Sequence, residues 1–319
     1  MLGILLQLST PACASAPPLL QAAWLPVTYN CSTPSSVQAT LTNLANHGVQ
    51  RVYVDVWNQG TVYFNSSTMA SLLGQGSAAQ GRDLLRWTLE AAAGLDMEVI
   101  AWFEYGLTCS YQDLSNVFAA AVNKKGWVLG LHNSFYWMDP ANPEVEAFLN
   151  GIIHDAIVGY SELGLKGVQL DDHFGTPVEL GRTQASMNTL MLSIHNNVQA
   201  AGSFFSLSPN TLNVSNDTYN VDWNSWGSNK WYDEVIPQLY CLDYNTFASV
   251  FDDTWTSISS VTRSLFIASG VRIDGTGAPT PYDDVNKMIQ LSKSFDVGTS
   301  IWYSHGILEI YPTEFGIVW

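Results

Sequence analysis

The amino-acid sequence predicts an α/β fold consisting of a single (β/α)8 TIM barrel. Short apolar runs typical of strands alternate with amphipathic stretches typical of helices along the whole chain, which is the pattern of a parallel sheet built from βαβ units. Eight such strands can be distinguished, and 319 residues suit one barrel of eight units. Because no linker, charge block or repeat divides the chain, we expect one barrel domain over residues 17–319.

The predicted strands are, in order, Ala23–Thr28, Arg51–Trp57, Glu98–Glu104, Gly167–Asp172, Phe204–Ser208, Val235–Cys241, Ser264–Ala268 and Thr299–Tyr303. The clearest predicted helices are Ser35–Asn46, Arg82–Ala93, Pro143–Leu163, Thr183–Ala200 and Tyr282–Ser294. The helix at Pro143 has the best-marked start, because Asn142 is a good N-cap, Pro suits the first helical position and Glu144 places an acid in the first turn. The pattern assigns no element to Leu308–Trp319.

The charge balance excludes several classes of partner. The chain has 12 basic and 28 acidic side chains and a formal net charge of −16. Nucleic acids and anionic membrane surfaces are bound by clustered Lys and Arg, so neither is expected as a partner. Neutral or cationic substrates remain, and neutral sugars suit a chain with few charges and with 12 Trp and 14 Tyr. The sequence leaves the oligomeric state open.

The N-terminal segment 1–16 resembles a signal peptide, since a short apolar run ends in Ala14-Ser15-Ala16, although no basic residue precedes it. It is too short to span a bilayer. Four glycosylation triplets begin at Asn30, Asn65, Asn213 and Asn216. We therefore expect a secreted glycoprotein.

The cysteines are too scattered along the chain for a zinc site. One disulfide is possible between two of Cys31, Cys109 and Cys241.

Acidic residues lie at the ends of three consecutive predicted strands. The alternation of side chains directs Asp55, Glu104 and Asp171 into the barrel, with Asp172 following at the end of the third strand. A single Asp at a strand end is more often a helix cap. Four acids at matching ends favour a catalytic site, because burying carboxylates together is costly and barrel enzymes hold catalytic groups at this end.

This arrangement of acids fits glycoside hydrolysis, which needs one protonated carboxyl group and one that acts as nucleophile or base. We assign Glu104 as the proton donor and Asp171 as the nucleophile or charge-stabilising group, with Asp172 as the alternative for either role. Sugar-binding residues are expected at the same rim: Asp55, Trp57, Asn58, Trp102, His173, Asn210, Gln238, Tyr240 and Trp302. Further Trp residues on connecting stretches are candidates for the walls of a cleft: Trp137, Trp223, Trp226 and Trp231.

Six motifs resemble one family in the same order along the chain. They span Val54–Gly60, Ala101–Gly106, Trp137–Glu144, Val168–Pro177, Ser206–Asn210 and Ile236–Tyr240. Together they are similar to the glycosyl hydrolase-like family 10, and most closely to its cyanobacterial branch, over about Trp24–Tyr303.

The resemblance implies a TIM barrel and a glycosidase that acts on an extracellular or cell-wall polysaccharide, with amino-sugar glycans among the candidates. Within it, Glu104 matches the third-strand motif, and the pair Asp171 and Asp172 matches the fourth-strand motif. The chain departs from the family at Lys166-Gly167, where Asp-Gly is frequent, so an acid earlier on this strand is absent.

Two alternatives remain at this stage. The first is a carbohydrate-binding barrel without catalysis, in which the acids accept hydrogen bonds from sugar hydroxyls. The second is a metal-dependent hydrolase that uses Asp171, Asp172 and His173, joined by His132 or Asp55. The chain has no His-X-His motif, so the prediction is for neither a metal nor a cofactor.

Overall fold

The structure is a computed structural model that describes residues 19–74 and 81–315. Its strands are β1 (Gln21–Leu25), β2 (Arg51–Asp55), β3 (Trp57–Asn58), β4 (Thr61–Val62), β5 (Glu98–Phe103), β6 (Thr108–Tyr111), β7 (Val128–His132), β8 (Phe135–Met138), β9 (Leu165–Asp171), β10 (Phe204–Ser208), β11 (Glu234–Val235), β12 (Ala268–Arg272) and β13 (Gly298–Trp302). Its α-helices are α1 (Pro34–Asn46), α2 (Ser67–Leu73), α3 (Leu84–Ala92), α4 (Val117–Lys124), α5 (Pro143–Tyr160), α6 (Gln184–Ala200), α7 (Leu212–Tyr219), α8 (Trp223–Ser228), α9 (Tyr244–Ser257), α10 (Ser260–Ser264) and α11 (Tyr282–Ser294).

Eight parallel strands form the barrel in the order β11-β10-β9-β5-β2-β1-β13-β12. Two isolated parallel bridges, Val235 with Phe266 and Gln238 with Gly270, join the first strand of this series to the last and bring the ring to closure. Helices lie between successive strands, and apolar side chains from strands and helices together form the core outside the ring. The predicted (β/α)8 barrel is therefore confirmed.

The sixth and seventh predicted strands are partly wrong. In the sixth unit β11 has only two residues, because Pro237 lacks the N–H that a longer ladder would need. In the seventh unit α10 ends at Ser264, and β12 begins only at Ala268. Ser259 favours the helix here because its hydroxyl accepts a hydrogen bond from the Thr262 N–H at 3.1 Å.

Two short antiparallel sheets follow barrel strands at their C-terminal ends. The first is the β3–β4 hairpin after β2, and the second is a three-stranded sheet in the order β6-β8-β7 within the connection between β5 and β9. In the second, Asn133 and Ser134 join β7 to β8 with φ values of 49° and 67°, as a tight two-residue hairpin turn requires. We call this three-stranded sheet the hairpin sheet.

The expectations for the cysteines and the N-terminus have different outcomes. Cys31, Cys109 and Cys241 are all buried free thiols, so the disulfide left open between two of them does not form. The signal-like segment 1–16 lies outside the described residues. Within the described ranges, no helix combines the length and the apolar character needed to cross a membrane.

A buried ion pair lies at the N-terminal end of the barrel interior. Arg51 at the start of β2 donates a hydrogen bond to Glu234 at the start of β11, and both side chains are buried. The Glu234 carboxylate also accepts hydrogen bonds from the Tyr53 hydroxyl at 2.8 Å and the Ser206 hydroxyl at 2.7 Å. Three donors from β2 and β10 therefore meet at one carboxylate on β11, which fixes these three strands relative to one another.

Lys166 and Gly167 lie at this same end of the barrel. Lys166 forms an ion pair with Glu98 at 3.2 Å, at the opposite end of β9 from Asp171. Gly167 is required by close packing, because a Cβ there would lie 2.1 Å from the Phe204 carbonyl oxygen. An acid at position 166 would therefore lie apart from Asp171 and the other acids.

Breaking the buried Arg51–Glu234 pair should lower the free energy of unfolding far more than breaking an exposed ion pair. Arg51→Met leaves the Glu234 carboxylate buried without its cation, and we expect it to lower the free energy of unfolding by about 3–5 kcal/mol. Lys166→Met removes a half-exposed pair and is expected to cost about 0–1 kcal/mol. Urea unfolding measures both. Adding Glu234→Leu to Arg51→Met should recover part of the loss, and equal losses in the two single variants would contradict this account.

Candidate active site

Three acids meet at the C-terminal ends of neighbouring barrel strands. Asp55 is the last residue of β2, Glu104 directly follows β5 and Asp171 is the last residue of β9. The side-chain amide of Asn58 donates hydrogen bonds to Asp55, at 2.8 Å, and to Glu104. One amide thus holds the Asp55 and Glu104 carboxyl groups side by side. We call Asp55, Glu104, Asp171 and Asp172 the acid cluster.

Polar residues from the next two strands hold the other half of the acid cluster. The Ser208 hydroxyl donates to Asp171 at 2.6 Å, and the Gln238 amide donates to the same oxygen at 2.7 Å. Asn210 donates to Asp172 at 2.9 Å, and His173 Nδ1 lies 3.4 Å from the Asp172 carboxylate. Asp171 therefore has two donors that favour its charged form.

The loop after β5 is tied to the loop after β9. The Leu107 N–H donates to the His173 carbonyl at 2.9 Å. Gly106 has a φ of +45°, and a Cβ at this position would lie 2.5 Å from the His173 backbone. A glycine is therefore required for this close approach, which brings the Glu104 and Asp172 segments together.

Burial raises the pKa of the three acids that face the barrel interior. The pKa of Asp55 rises to about 7, mainly because its carboxyl is fully buried. Burial and the charge of Asp55 raise the pKa of Glu104 well above its ordinary value. Burial and the charge of Asp172 do the same for Asp171. At neutral pH the cluster therefore retains protons that exposed carboxyl groups would lose.

The cluster combines two kinds of carboxyl group within one site. Glu104 lies beside the Asp55 carboxyl group, and burial together with the charge of Asp55 raises the pKa of Glu104, whereas Asp171 accepts hydrogen bonds from Ser208 and Gln238. The hydrogen bonds from Ser208 and Gln238 oppose the rise in pKa that burial and the charge of Asp172 cause at Asp171. Glycoside hydrolysis requires one carboxyl group that donates a proton and a second that acts as a carboxylate. The Tyr240 hydroxyl lies near the same acids, since, besides burial, the charges of Asp171, Asp172 and Glu104 raise its pKa, and it has no hydrogen-bond partner among the described residues.

The predicted sugar-binding residues differ in their contacts with the acid cluster. The side-chain amides of Asn58, Asn210 and Gln238 donate to the acids themselves, so these residues orient the carboxylates. His173, Tyr240 and Trp302 are partly exposed, and their role in sugar binding stays a prediction. Asp55 is fully buried and belongs to the acid cluster.

The predicted positions of Trp57 and Trp102 need correction. β2 ends at Asp55, and the chain then turns into the β3–β4 hairpin, so the alternation does not continue to Trp57. Trp57 instead packs against Phe118 and Phe148 on the helical side. Trp102 does point into the barrel, but it is fully buried and packs against Trp302 with ring centroids 5.7 Å apart.

Three of the four Trp residues expected on the cleft walls are buried. Trp137, Trp223 and Trp226 pack in the interior, and Trp231 is partly exposed. The sequence interpretation also missed Ser208, which gives Asp171 its shortest hydrogen bond. Ser208 ends β10 and pairs with Asp171 in the neighbouring strand, so its place at a strand end could have predicted a contact with the acids.

The ligand set of the metal-dependent alternative is also brought together. Asp171, Asp172 and His173 each offer one ligand atom, and these atoms lie within 4.8 Å of one another. His132, which the alternative would add, instead lies 3.1 Å from Glu179. Two carboxylates and one imidazole fit a cation only in part, since most such sites have further protein ligands.

The raised pKa values predict that stability falls as pH rises through neutrality. Asp55 binds its proton more tightly in the folded than in the unfolded chain, so its contribution is present at low pH and is lost as pH passes about 7. We expect the Tm to fall between about pH 5 and about pH 9, and Asp55→Asn to reduce that fall. Asp252→Asn removes an exposed acid and should leave the pH dependence unchanged. The same pH dependence in wild type and Asp55→Asn would contradict the account.

Comparisons with known proteins agree with this fold. A barrel similar to this chain is the glycoside hydrolase domain of PgaB (BpsB) from Bordetella bronchiseptica, with a TM-score of 0.67, 10% identity and coverage of 93% of this chain and 97% of that one. The catalytic domain of β-amylase from Paenibacillus polymyxa gives a TM-score of 0.60 at 9% identity, covering 91% and 93%. A catalytic module of the pneumococcal exo-β-D-N-acetylglucosaminidase StrH gives 0.59 at 10% identity, covering 94% and 84%.

Comparison with sequence profiles of protein families assigns this chain to one family. A comparison with curated protein sequences finds no match. The sequence profile described as "Glycosyl hydrolase-like 10" matches residues 20–190, which include β1, β2, β5 and β9 together with the four residues of the acid cluster. The resemblance noted from the sequence motifs is thus confirmed for the family, and the chain belongs to the glycosyl hydrolase-like 10 family.

Proposed function

We propose that this protein is an endo-acting glycosidase that cleaves a polysaccharide by carboxylate acid/base chemistry. The observation that carries the proposal is the contrast between two acids at one site. Glu104 lies partly buried beside a second carboxyl group, and burial together with the charge of that group raises the pKa of Glu104, whereas Asp171 accepts two hydrogen bonds. Family membership supports the same class of reaction.

In this mechanism Glu104 donates a proton to the leaving glycosidic oxygen. Its raised pKa keeps it protonated at the pH where an exposed Glu would be charged, and Asp55 maintains that state by its own charge. As the bond between the anomeric carbon and that oxygen breaks, Asp171 either bonds to the anomeric carbon or stabilises its positive charge, and Ser208 and Gln238 hold Asp171 in place. Water then adds to the anomeric carbon and returns a proton to Glu104, which completes the hydrolysis. Asp172, oriented by Asn210, is the alternative for either role.

We propose an extracellular or cell-wall polysaccharide as the substrate, with amino-sugar glycans first among the candidates. A net charge of −16 disfavours anionic glycans and is compatible with neutral or partly cationic ones. The exo-β-D-N-acetylglucosaminidase StrH, which acts on an amino sugar, has the same barrel fold. Secretion and glycosylation are proposed on the N-terminal segment and the Asn-X-Ser/Thr triplets alone.

Removing either key carboxyl group should abolish hydrolysis without loss of binding. We expect Glu104→Gln and Asp171→Asn each to lower reducing-end release by about 10²–10⁴-fold, the usual contribution of a general acid or its partner. The measurement is release from a panel of neutral, amino-sugar and peptidoglycan glycans. Asp252→Asn, an exposed acid on α9, is the matched control and should retain full activity.

The alternatives predict other results in the same experiment. Undiminished release by both variants would show the assignment of the acids to be wrong. Glycan binding without release by wild type would indicate a carbohydrate-binding barrel. Activity that disappears in a chelator and returns with a divalent cation would indicate the metal-dependent reading of Asp171, Asp172 and His173.

A further inference from the structure

The hairpin sheet forms one wall beside the acid cluster. It is joined to the barrel at Leu107, whose N–H donates to the His173 carbonyl at 2.9 Å and whose carbonyl accepts from the Met138 N–H at 2.8 Å. Because His173 directly follows Asp171 and Asp172, this connection sets the sheet against the acid cluster.

One face of the hairpin sheet is aromatic. Tyr111 of β6 and Phe135 of β8 are directly paired in the antiparallel register, so their side chains lie on the same face. Trp137 is two residues from Phe135 on the same strand and shares that face. Phe135 and Trp137 contact His173, with ring centroids 4.6 Å and 5.8 Å away. The aromatic face is thus the one turned toward the acid cluster.

The rings on this face become more exposed with distance from the barrel. Trp137 is 1% exposed, Phe135 is partly exposed and Tyr111 is 45% exposed. The rings of Phe135 and Tyr111 are 5.0 Å apart. His173, Phe135 and Tyr111 therefore form a continuous series, which we call the aromatic track, leading outward from the acid cluster.

We propose that the aromatic track is a further sugar-binding region, in which pyranose rings of the polysaccharide on one side of the cleaved bond stack on Phe135 and Tyr111. The proposal rests on the proposed function. Exposed aromatic faces that continue a polar cleft mark a ligand site rather than core packing. A pyranose suits them because it combines an apolar face, which a phenyl ring covers, with hydroxyl groups that remain in water.

Continuity with the acid cluster identifies the occupant. A glycan whose cleaved bond lies at Glu104 and Asp171 can extend past His173. The Nδ1 atom of His173 is 3.4 Å from the Asp172 carboxylate, and its ring centroid is 4.6 Å from that of Phe135. Beyond His173, the aromatic track leads along the hairpin sheet as far as Tyr111. A site with binding positions outside the cleaved bond favours long chains, in agreement with endo action.

The test is the dependence of kinetics on chain length. The probe is a ladder, from dimer to hexamer, of the glycan that the wild-type protein cleaves. We expect Tyr111→Ala to lower kcat/KM for the longest members by about three- to tenfold and to leave the shortest unchanged, because only long chains reach the outer ring. Tyr111→Phe should behave as wild type, since it keeps the ring.

Two controls separate stacking from general damage. Val158→Ala removes an exposed apolar side chain on α5, distant in sequence from the track, and should not change the length profile. Near-ultraviolet circular dichroism checks that Tyr111→Ala is folded, and Tyr111 is exposed enough that we expect no loss of stability.

Each outcome decides the proposal. Equal loss at all lengths, no loss at any length, or a change in oligomeric state with unchanged kinetics would overturn it. If wild type cleaves no glycan, the proposed catalysis fails, and calorimetric binding of chito-oligosaccharides from dimer to hexamer replaces the kinetics. Affinity that grows with length in wild type but not in Tyr111→Ala would still support the aromatic track, whereas affinity independent of length in both would overturn it.

Discussion

The cost of burying charge inside a closed barrel governs both ends of this molecule. At the N-terminal end the cost is offset by a cation, since Arg51 pairs with Glu234, and hydrogen bonds from Tyr53 and Ser206 complete the site. At the C-terminal end, no Lys or Arg among the described residues pairs with Asp55, Glu104 or Asp171, and burial raises their pKa values. One end thus uses buried charge to fix the strands, and the other keeps protons available for chemistry.

The loops at the C-terminal end turn this electrostatic difference into a site. Gly106 allows the loop after β5 to touch the backbone of His173, and Asn58 connects Asp55 to Glu104. Ser208 and Gln238 then place two donors on Asp171. The hairpin sheet is attached to the barrel by the backbone hydrogen bonds of Leu107 to His173 and Met138. The backbone contacts of Gly106 and Leu107 with His173 therefore link the acid cluster to the aromatic track.

Sequence reasoning predicted the barrel and the acids because both depend on local alternation. Asp55, Glu104 and Asp171 lie where regular strands end, so their direction follows from parity. Trp57 was misplaced because the strand stops at Asp55, and parity has no meaning in the hairpin that follows. Tyr111 and Phe135 could not be predicted, since their pairing depends on the register of a sheet inside a long connection. Ser208 was missed because a lone Ser carries no chemical signal without its neighbour.

The division of roles between Glu104 and Asp171 is tested most directly by leaving-group dependence. An oligosaccharide carrying a nitrophenyl leaving group needs little protonation at departure, whereas the natural glycan needs a proton donor. If Glu104 is the donor, Glu104→Gln should lose hydrolysis of the natural glycan but keep most of its rate on the nitrophenyl substrate, and Asp171→Asn should lose both. Equal loss on both substrates in Glu104→Gln, or the reverse pattern in the two variants, would contradict the account.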